Sequence, residues 1–249
     1  MAEIPACRAL PGASPVTAAP ISGGDLVIVG AGGFGRETAE AVRALNDDGA
    51  SWRLLGYLDD EPARSGTLVD GLPVLGGTAE LGRLPDAWVV VCTGRPDNYV
   101  SRPRIVTTLG LPPERYATII HPTASVPASS RVGPGSVVLA HTALTAAVSV
   151  GSHVAVMPHV TLTHDDVVED FATLASGVCL GGGVRVGRCA YLGAGVLIRE
   201  QRTVGGCALI GMGAVVTSDI PACEVWAGVP ARRLRAADIP LDIIQLETH

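Results

Sequence analysis

RVGRCAYLGAGVLIREQRTVGGCALIGMGAVV, residues 185–216, places an aliphatic side chain at every sixth position: Val186, Leu192, Ile198, Val204, Ile210 and Val216. Followed toward the N-terminus, the same phase continues unbroken through Leu180, Leu174, Val168, Leu162, Val156, Val150, Leu144, Val138, Val132 and Val126 to Ile120. A helix needs apolar steps of three and four, and a strand alternates for only about four to eight residues. A period of six suits neither. It suits short strands joined by tight turns, with each aliphatic pointing inward. Small residues four positions later (Ala124, Ser136, Thr142, Ala172, Ala190, Ala208, Ala214) would fill narrow corners, and glycine often follows the aliphatic directly, as at Gly133, Gly151, Gly187, Gly193, Gly205 and Gly211. This is the hexapeptide period of a parallel β-helix. Three hexads make a triangular coil, so the run predicts roughly five to six stacked coils. Flat coil faces favour side-by-side packing, and a threefold assembly is the expectation.

Residues eighteen apart share a corner on adjacent coils, so His141 and His159 are expected to stack, with His153 and His164 on the other two faces. His164 falls two positions after inward-facing Leu162, on a turn, and is followed by Asp165 and Asp166. A histidine there is exposed enough to accept a proton, and a neighbouring carboxylate can orient the ring and stabilise its charged form. His164 is therefore read either as a general base or as a surface histidine.

Upstream, Leu26-Val27-Ile28-Val29 reads as a strand, Gly30-Ala31-Gly32-Gly33-Phe34-Gly35 as a glycine turn, and Ala39, Val42 and Leu45 as the apolar face of a helix. Backbone N–H groups at such a helix start can hold a phosphate or another anion. The turn matches G-x-G-x-x-G, and Asp59, Asp60 and Glu61 follow a second strand at Leu54–Leu58, where a ribose-binding acid would stand. The unit ends near residue 115, about half of a full dinucleotide fold. Nucleotide or nucleotide-sugar docking, a purely structural loop and intact NAD chemistry all remain open on these residues. A third strand, Trp88–Cys92, leads to Arg95 and Asn98, which are either ligand contacts or part of a solvated turn.

Composition limits the function classes. The 249-residue chain is 47% hydrophobic, 4% aromatic and carries a net charge of -6, so its packing rests on aliphatics and nothing suggests general nucleic-acid binding. The longest apolar run, Ala87–Cys92, is strand-sized, and no membrane segment is expected. Residues 1–24 lack a signal-peptide core and read as a flexible leader of a cytoplasmic protein. Cysteines 7, 92, 179, 189, 207 and 223 form no metal-ligand spacing and are expected as small buried side chains, with no metal bound. The Arg232, Arg233, Arg235 cluster is expected to be exposed. Beyond Ala236, the apolar residues Ile239, Leu241, Ile243, Ile244 and Leu246 are expected to pack back on the coil or form a short helix.

Several segments together, GAGGFGRE at 30–37, Gly56-Tyr57-Leu58-Asp59-Asp60, Ile120-His121-Pro122-Thr123-Ala124, THDDVVEDF at 163–171, Ile210–Val216 and Trp226–Ala231, resemble the sialic-acid O-acetyltransferase and bacillosamine N-acetyltransferase family of hexapeptide acyltransferases. The resemblance covers residues 25–235. It implies an α/β plus all-β chain: a Rossmann-like acceptor-binding domain at 25–117, a left-handed parallel β-helix at 118–231 and a C-terminal tail at 232–249. It also implies a homotrimer with acyl-CoA, acetyl-CoA foremost, lying between adjacent subunits and an amino-sugar acceptor. Carried onto this sequence, the base is His164 with Asp165 orienting it. The glycine-loop role falls on Gly30, Gly32, Gly33 and Gly35 around Phe34, and the acidic acceptor-site position on Asp59 or Asp60; Arg95, at the end of the third strand, is an acceptor candidate on the reading of that strand alone. Thr173, Ala175, Gly182, Gly193 and Ala194 flank the CoA.

Three residues depart from the family pattern: Phe34 where histidine is frequent, Met157 where a polar residue is frequent, and Glu169 where glycine is usual. They point to an altered acceptor. Rival expectations are O-acetylation of a sialic-acid-like sugar, a non-catalytic sugar-binding or scaffold trimer, and a zinc enzyme of carbonic-anhydrase type using His159 and His164 with His141 or His153 from a neighbouring chain.

Overall fold

The computed structural model describes residues 23–240 and Ile243. The leader up to residue 22, Cys7, and Leu241, Ile244 and Leu246 of the tail lie outside the described residues.

The N-terminal unit is a five-stranded sheet built from β1 (Gly23–Val29), β2 (Ser51–Leu58), β3 (Leu68–Val69), β4 (Leu72–Gly76) and β5 (Trp88–Val91), in the order β3-β4-β2-β1-β5. β1 runs parallel to β2 and β5, and β2 runs parallel to β4. Central β1 is buried on both faces from Leu26 to Val29, which is why its sequence is a continuous apolar run rather than an alternation. The sheet has two strands more than the three read from sequence. β3 and β4 form an antiparallel hairpin turning on Asp70 and Gly71, both at positive φ (47° and 79°), as a two-residue turn between right-twisted strands requires. Helix α1 (Gly33–Asp47) begins earlier and ends later than the apolar spacing suggests, and α2 (Ser101–Leu109) follows β5.

From Ile119 onward the chain winds as a triangular parallel β-helix whose two-residue strands stack in three sheets. The first face holds Arg131–Val132, Ser149–Val150, Val167–Val168, Arg185–Val186 and Thr203–Val204. The second runs from Ile119–Ile120 through Val137–Val138, Ala155–Val156, Thr173–Leu174 and Tyr191–Leu192 to Leu209–Ile210. The third holds Ala143–Leu144, Thr161–Leu162, Cys179–Leu180, Leu197–Ile198 and Val215–Val216. The second residue of each pair is the hexad aliphatic, and from Val138 to Val216 these side chains fill one continuous core. The second face continues into Glu224–Ala227, which pairs antiparallel with the exposed strand Arg232–Ala236; the arginine cluster is thus a sheet edge, and the coil's hydrogen bonding runs past residue 231.

Each corner places one residue per coil in the left-handed region. The first-to-second corner uses Gly135, His153, Phe171, Cys189, Cys207 and Cys223; the second-to-third uses His141, His159, Gly177, Gly195 and Gly213; the third-to-first uses Ala147, Asp165, Gly183 and Gln201. Non-glycine residues there cost roughly 1–2 kcal/mol each. Their N–H groups offset the cost by reaching carbonyls one coil back, as Phe171 does to Ser152 and Cys189 to Asp170.

The N-terminal unit sits on the second face. Leu26, Ile28, Ala117 and Phe34 share one apolar cluster with Val137, Leu139 and Met157 of the coil. Tyr99, Val100 and Ile243 pack on the corner column of Phe171, Cys189 and Cys207, so Ile243 does return to the coil as the tail's apolar pattern suggests.

Candidate active site

His164 stands on the turn between the third and first faces, at the corner opposite the second face. Its Nδ1 lies 2.9 Å from Asp165 Oδ2, and both side chains are exposed, at 68% and 70%. With Nδ1–H donating to the carboxylate, Nε2 carries the lone pair, the tautomer a general base needs. The ring rests against Gly182 of the next coil, where an added Cβ would lie 2.3 Å from Nε2.

Asp166, fully buried beneath this turn, holds it in place. Its Oδ2 accepts from the Thr163 N–H at 2.7 Å and its Oδ1 from the Val184 N–H at 2.8 Å. Burial pushes this carboxyl up to about 6 against the pull of those two bonds. Glu169 has a similar structural task, its Oε2 accepting from the Arg188 N–H, which accounts for a carboxylate where the family pattern has glycine.

A second constellation lies where the two units meet. Phe34 of the glycine turn, Gly94, Arg102, Ala155, Met157, Thr173, Ala175, Ser176, Tyr191 and Ala194 enclose a cavity of about 150 Å³. Arg102, 1% exposed, ties the units together. Its Nε donates to the His153 carbonyl (3.1 Å) and Nη1 to the Thr93 carbonyl (2.6 Å). Nη2 donates to the carbonyls of Phe171 (2.8 Å) and Ala172 (3.0 Å) and to Thr173 Oγ1 (2.6 Å). Every one of these acceptors is neutral. Desolvation therefore lowers the guanidinium to about 10.

The glycine turn is shaped by close backbone approach. Gly35 packs so tightly on Gly30 that a Cβ would lie 2.0 Å from the Gly30 carbonyl oxygen, and Gly30 is itself at φ +103°. Gly32 is the N-cap of α1 and no side chain caps that end, so Gly32 and Gly33 leave open backbone beside it. Asp59 closes the turn from beneath: its Oδ2 accepts from the Ala31 N–H (2.9 Å) and pairs with Arg64 (3.1 Å). Asp60 faces elsewhere, accepting from the N–H and hydroxyl of Thr78.

The residues expected from sequence are thus only partly brought together. Phe34, assigned to the acceptor, shares the cavity with Thr173, Ala175 and Ala194, assigned to CoA. Gly182 is at the opposite corner under His164, and Gly193 is pressed against Met212 of the next coil. Arg95 is exposed and paired with Asp97, outside the cavity. Arg102 and the bridging role of Asp166 are absent from the sequence reading; one of two arginines in a short helix gives no signal, whereas the second acid of His-Asp-Asp is visible without its task. His141 and His159 do stack, with centroids 5.1 Å apart, but His159 and His164 occupy different corners and do not converge. Among the described residues, no group of three or more His, Cys, Asp or Glu side chains could hold a metal ion. No helix there is long and apolar enough to cross a membrane.

Comparison with known proteins places both units. The PglD N-terminal domain model matches residues 25–106. UDP-N-acetylbacillosamine N-acetyltransferase of Bacillus subtilis (strain 168) is 33% identical over 121 residues, 47% of this chain; the match spans about half of that relative's length, 51%. The acetyltransferase domain of PglB from Neisseria gonorrhoeae FA1090, also solved with acetyl coenzyme A, superposes with a TM-score of 0.72 at 31% identity over 84% of this chain and 99% of that one. PerB from Caulobacter crescentus, solved with CoA and GDP-perosamine, gives 0.73 at 29% identity over 85% and 97%. The coil is the left-handed β-helix of these structures.

Proposed function

Because the chain belongs to the PglD-like family of hexapeptide-repeat N-acetyltransferases that act on amino sugars, we propose that it transfers the acetyl group of acetyl-CoA to the amino group of a nucleotide-linked sugar, with His164 as general base. The acceptor's amine attacks the thioester carbonyl carbon. As the C–N bond forms, the carbonyl electron pair moves to oxygen and a proton passes from nitrogen to His164 Nε2, whose imidazolium Asp165 stabilises. The intermediate then collapses, breaking the C–S bond and expelling the CoA thiolate, which takes the proton. The main-chain N–H of Gly182, beside Nε2, is suited to the oxyanion, those of Gly181 and Gly183 being held by the carbonyls of Ile198 and His164. The nucleotide's phosphates would lie on the uncapped start of α1 at Gly32 and Gly33, with the sugar entering the cavity behind Phe34.

One observation carries this reading. Within one chain the base and the cavity are separated by the width of the third face, His164 standing opposite the face that carries the N-terminal unit. A base supplied by a second copy packed coil to coil would complete the cavity, and on that ground the proposed assembly is a homotrimer with sites between subunits. The solved relatives that hold CoA and a nucleotide-linked amino sugar support the same substrates, and those metabolites suit a cytoplasmic enzyme.

The test is free-thiol release and product mass with acetyl-CoA and a panel of nucleotide-linked amino sugars. A sugar-dependent gain of one acetyl mass, reduced about 10²–10⁴-fold by His164→Ala, is expected. Turnover unaffected by that substitution would reject the assignment.

A further inference from the structure

The cavity between the two units contains a buried cation that, among the described residues of its own chain, meets no carboxylate. Of the five guanidinium N–H bonds of Arg102, one on Nε, one on Nη1 and both on Nη2 meet neutral oxygen acceptors. The glycine at 94 keeps the space beside Nη1 open, since a Cβ there would lie 2.7 Å from it. Thr173 Oγ1, accepting from Nη2, has its own proton left to donate into the cavity.

Among the described residues of the same chain, the titratable groups around the guanidinium do not supply negative charge. Burial pushes Cys92 up to about 12 and raises Tyr191, while His153 is driven down to about 4. Cys189 is a buried thiol. The carboxylates of the surrounding elements are committed elsewhere or face water: Glu37 and Asp97 are exposed and outside the lining, Asp170 accepts from the Ser152 N–H, and Glu169 accepts from that of Arg188. Arg36 and Arg95 are exposed and paired with Asp70 and Asp97. The remaining lining is Ser176 and the apolar Phe34, Met157, Ala155, Ala175 and Ala194, which weaken screening of the buried charge.

We propose that Arg102 keeps the acceptor's amino group neutral, and hence nucleophilic, as the sugar enters the cavity. An ammonium brought beside a guanidinium that meets only neutral acceptors in its own chain is repelled, whereas the free amine is tolerated and can accept from Thr173. The proton is released to solvent on binding, before His164 removes the second proton during attack. This deepens the functional reading above and rests on it. Arg102 thereby selects the protonation state of the substrate without itself exchanging a proton.

Wild-type protein decides the matter by calorimetry. A nucleotide-linked 4-amino sugar and the same nucleotide-linked sugar with a 4-hydroxyl are titrated without acetyl-CoA, in buffers of different ionisation enthalpy from pH 6 to 8. Proton release is expected for the amino sugar alone, with its affinity rising about tenfold per pH unit below the amine's solution pKa. Binding of both sugars without that difference, or amino-sugar affinity falling with pH, overturns the proposal while leaving the transferase reading intact. If neither sugar binds and none is acetylated, both readings fall. Arg102→Lys should retain proton release. Arg102→Met should lose it and lower kcat about tenfold at pH 6.5, with KM falling in parallel and kcat/KM little changed, the loss in kcat narrowing by pH 8.5.

Discussion

The imidazole of His164 lies against Gly182, one coil further along, with Nε2 where the first atom of any side chain at 182 would have to go. The same nitrogen is left as the basic one by the Nδ1 contact to Asp165. Gly182 is not in the left-handed region, so alanine is admissible there on backbone grounds, and what it disturbs is the ring. Gly182→Ala is therefore expected to lower kcat about 10–100-fold at a stability cost below about 1 kcal/mol, because an exposed side chain can rotate away. Steady-state kinetics with a thermal melt checks this; full activity in Gly182→Ala would mean the ring's seat is irrelevant to its chemistry.

What the sequence reveals and what it hides differ in range. The hexad is legible because each coil repeats one local requirement, an aliphatic at an inward position such as Leu174 or Val186, and so is the His141–His159 stack, which follows from the coil length alone. The corner residues are obscured because the left-handed position is filled by His, Phe, Cys, Asp, Gln and Ala as well as Gly. Arg102 is hidden for a different reason: it meets Thr93 within its own unit and His153, Phe171, Ala172 and Thr173 51 to 71 residues away, contacts that exist only once two units have docked. The β3–β4 hairpin had a readable signal in Asp70-Gly71 between short apolar pairs.

Asp166 makes stability depend on pH in a defined direction. Its carboxyl is raised to about 6 in the folded chain from an ordinary 3.8, so its favourable contribution is complete below about 3.8 and is lost as pH rises through 6. Asp166→Asn does not titrate. Relative to this variant, the wild type should lose about 2–3 kcal/mol of stability between pH 4 and pH 7. Denaturant melts at several pH values measure the difference. A pH-independent gap between the two proteins would show that Asp166 does not titrate in this window.

His153 acts in the same window with the opposite sign. It is buried between Phe171, stacked at 5.0 Å, and Tyr116, edge-on at 4.5 Å, and its Nδ1 has no hydrogen-bond partner among the described residues. Burial and the Arg102 charge lower it to about 4. Its contribution is thus complete above about 6.5 and lost as pH falls through 4. Phe171 shows that a phenyl ring is accepted at this corner in the same left-handed backbone. His153→Phe should keep the stack and the carbonyl that receives Arg102 while removing the acid-sensitive ring, leaving the variant about 2–3 kcal/mol less destabilised than wild type on going from pH 7 to pH 4. Equal acid sensitivity in the two proteins would place the titration elsewhere.

Separation of the base from the cavity predicts complementation between two inactive chains. His164→Ala removes the base and leaves the cavity; Ala194→Phe, at an exposed lining position, fills the cavity and leaves the base. Each homo-oligomer should be inactive. In oligomers reassembled from an equal mixture, a site formed by the cavity of the first variant and His164 of the second is intact. With two chains per site and random assortment, roughly a quarter of the sites recover. Turnover near that fraction, appearing only after dissociation and reassembly and absent when the oligomers are merely mixed, is the expected outcome. Reassembled mixtures with a native oligomer mass and no turnover would place His164 and the cavity it serves in one chain, and would refute the intersubunit site.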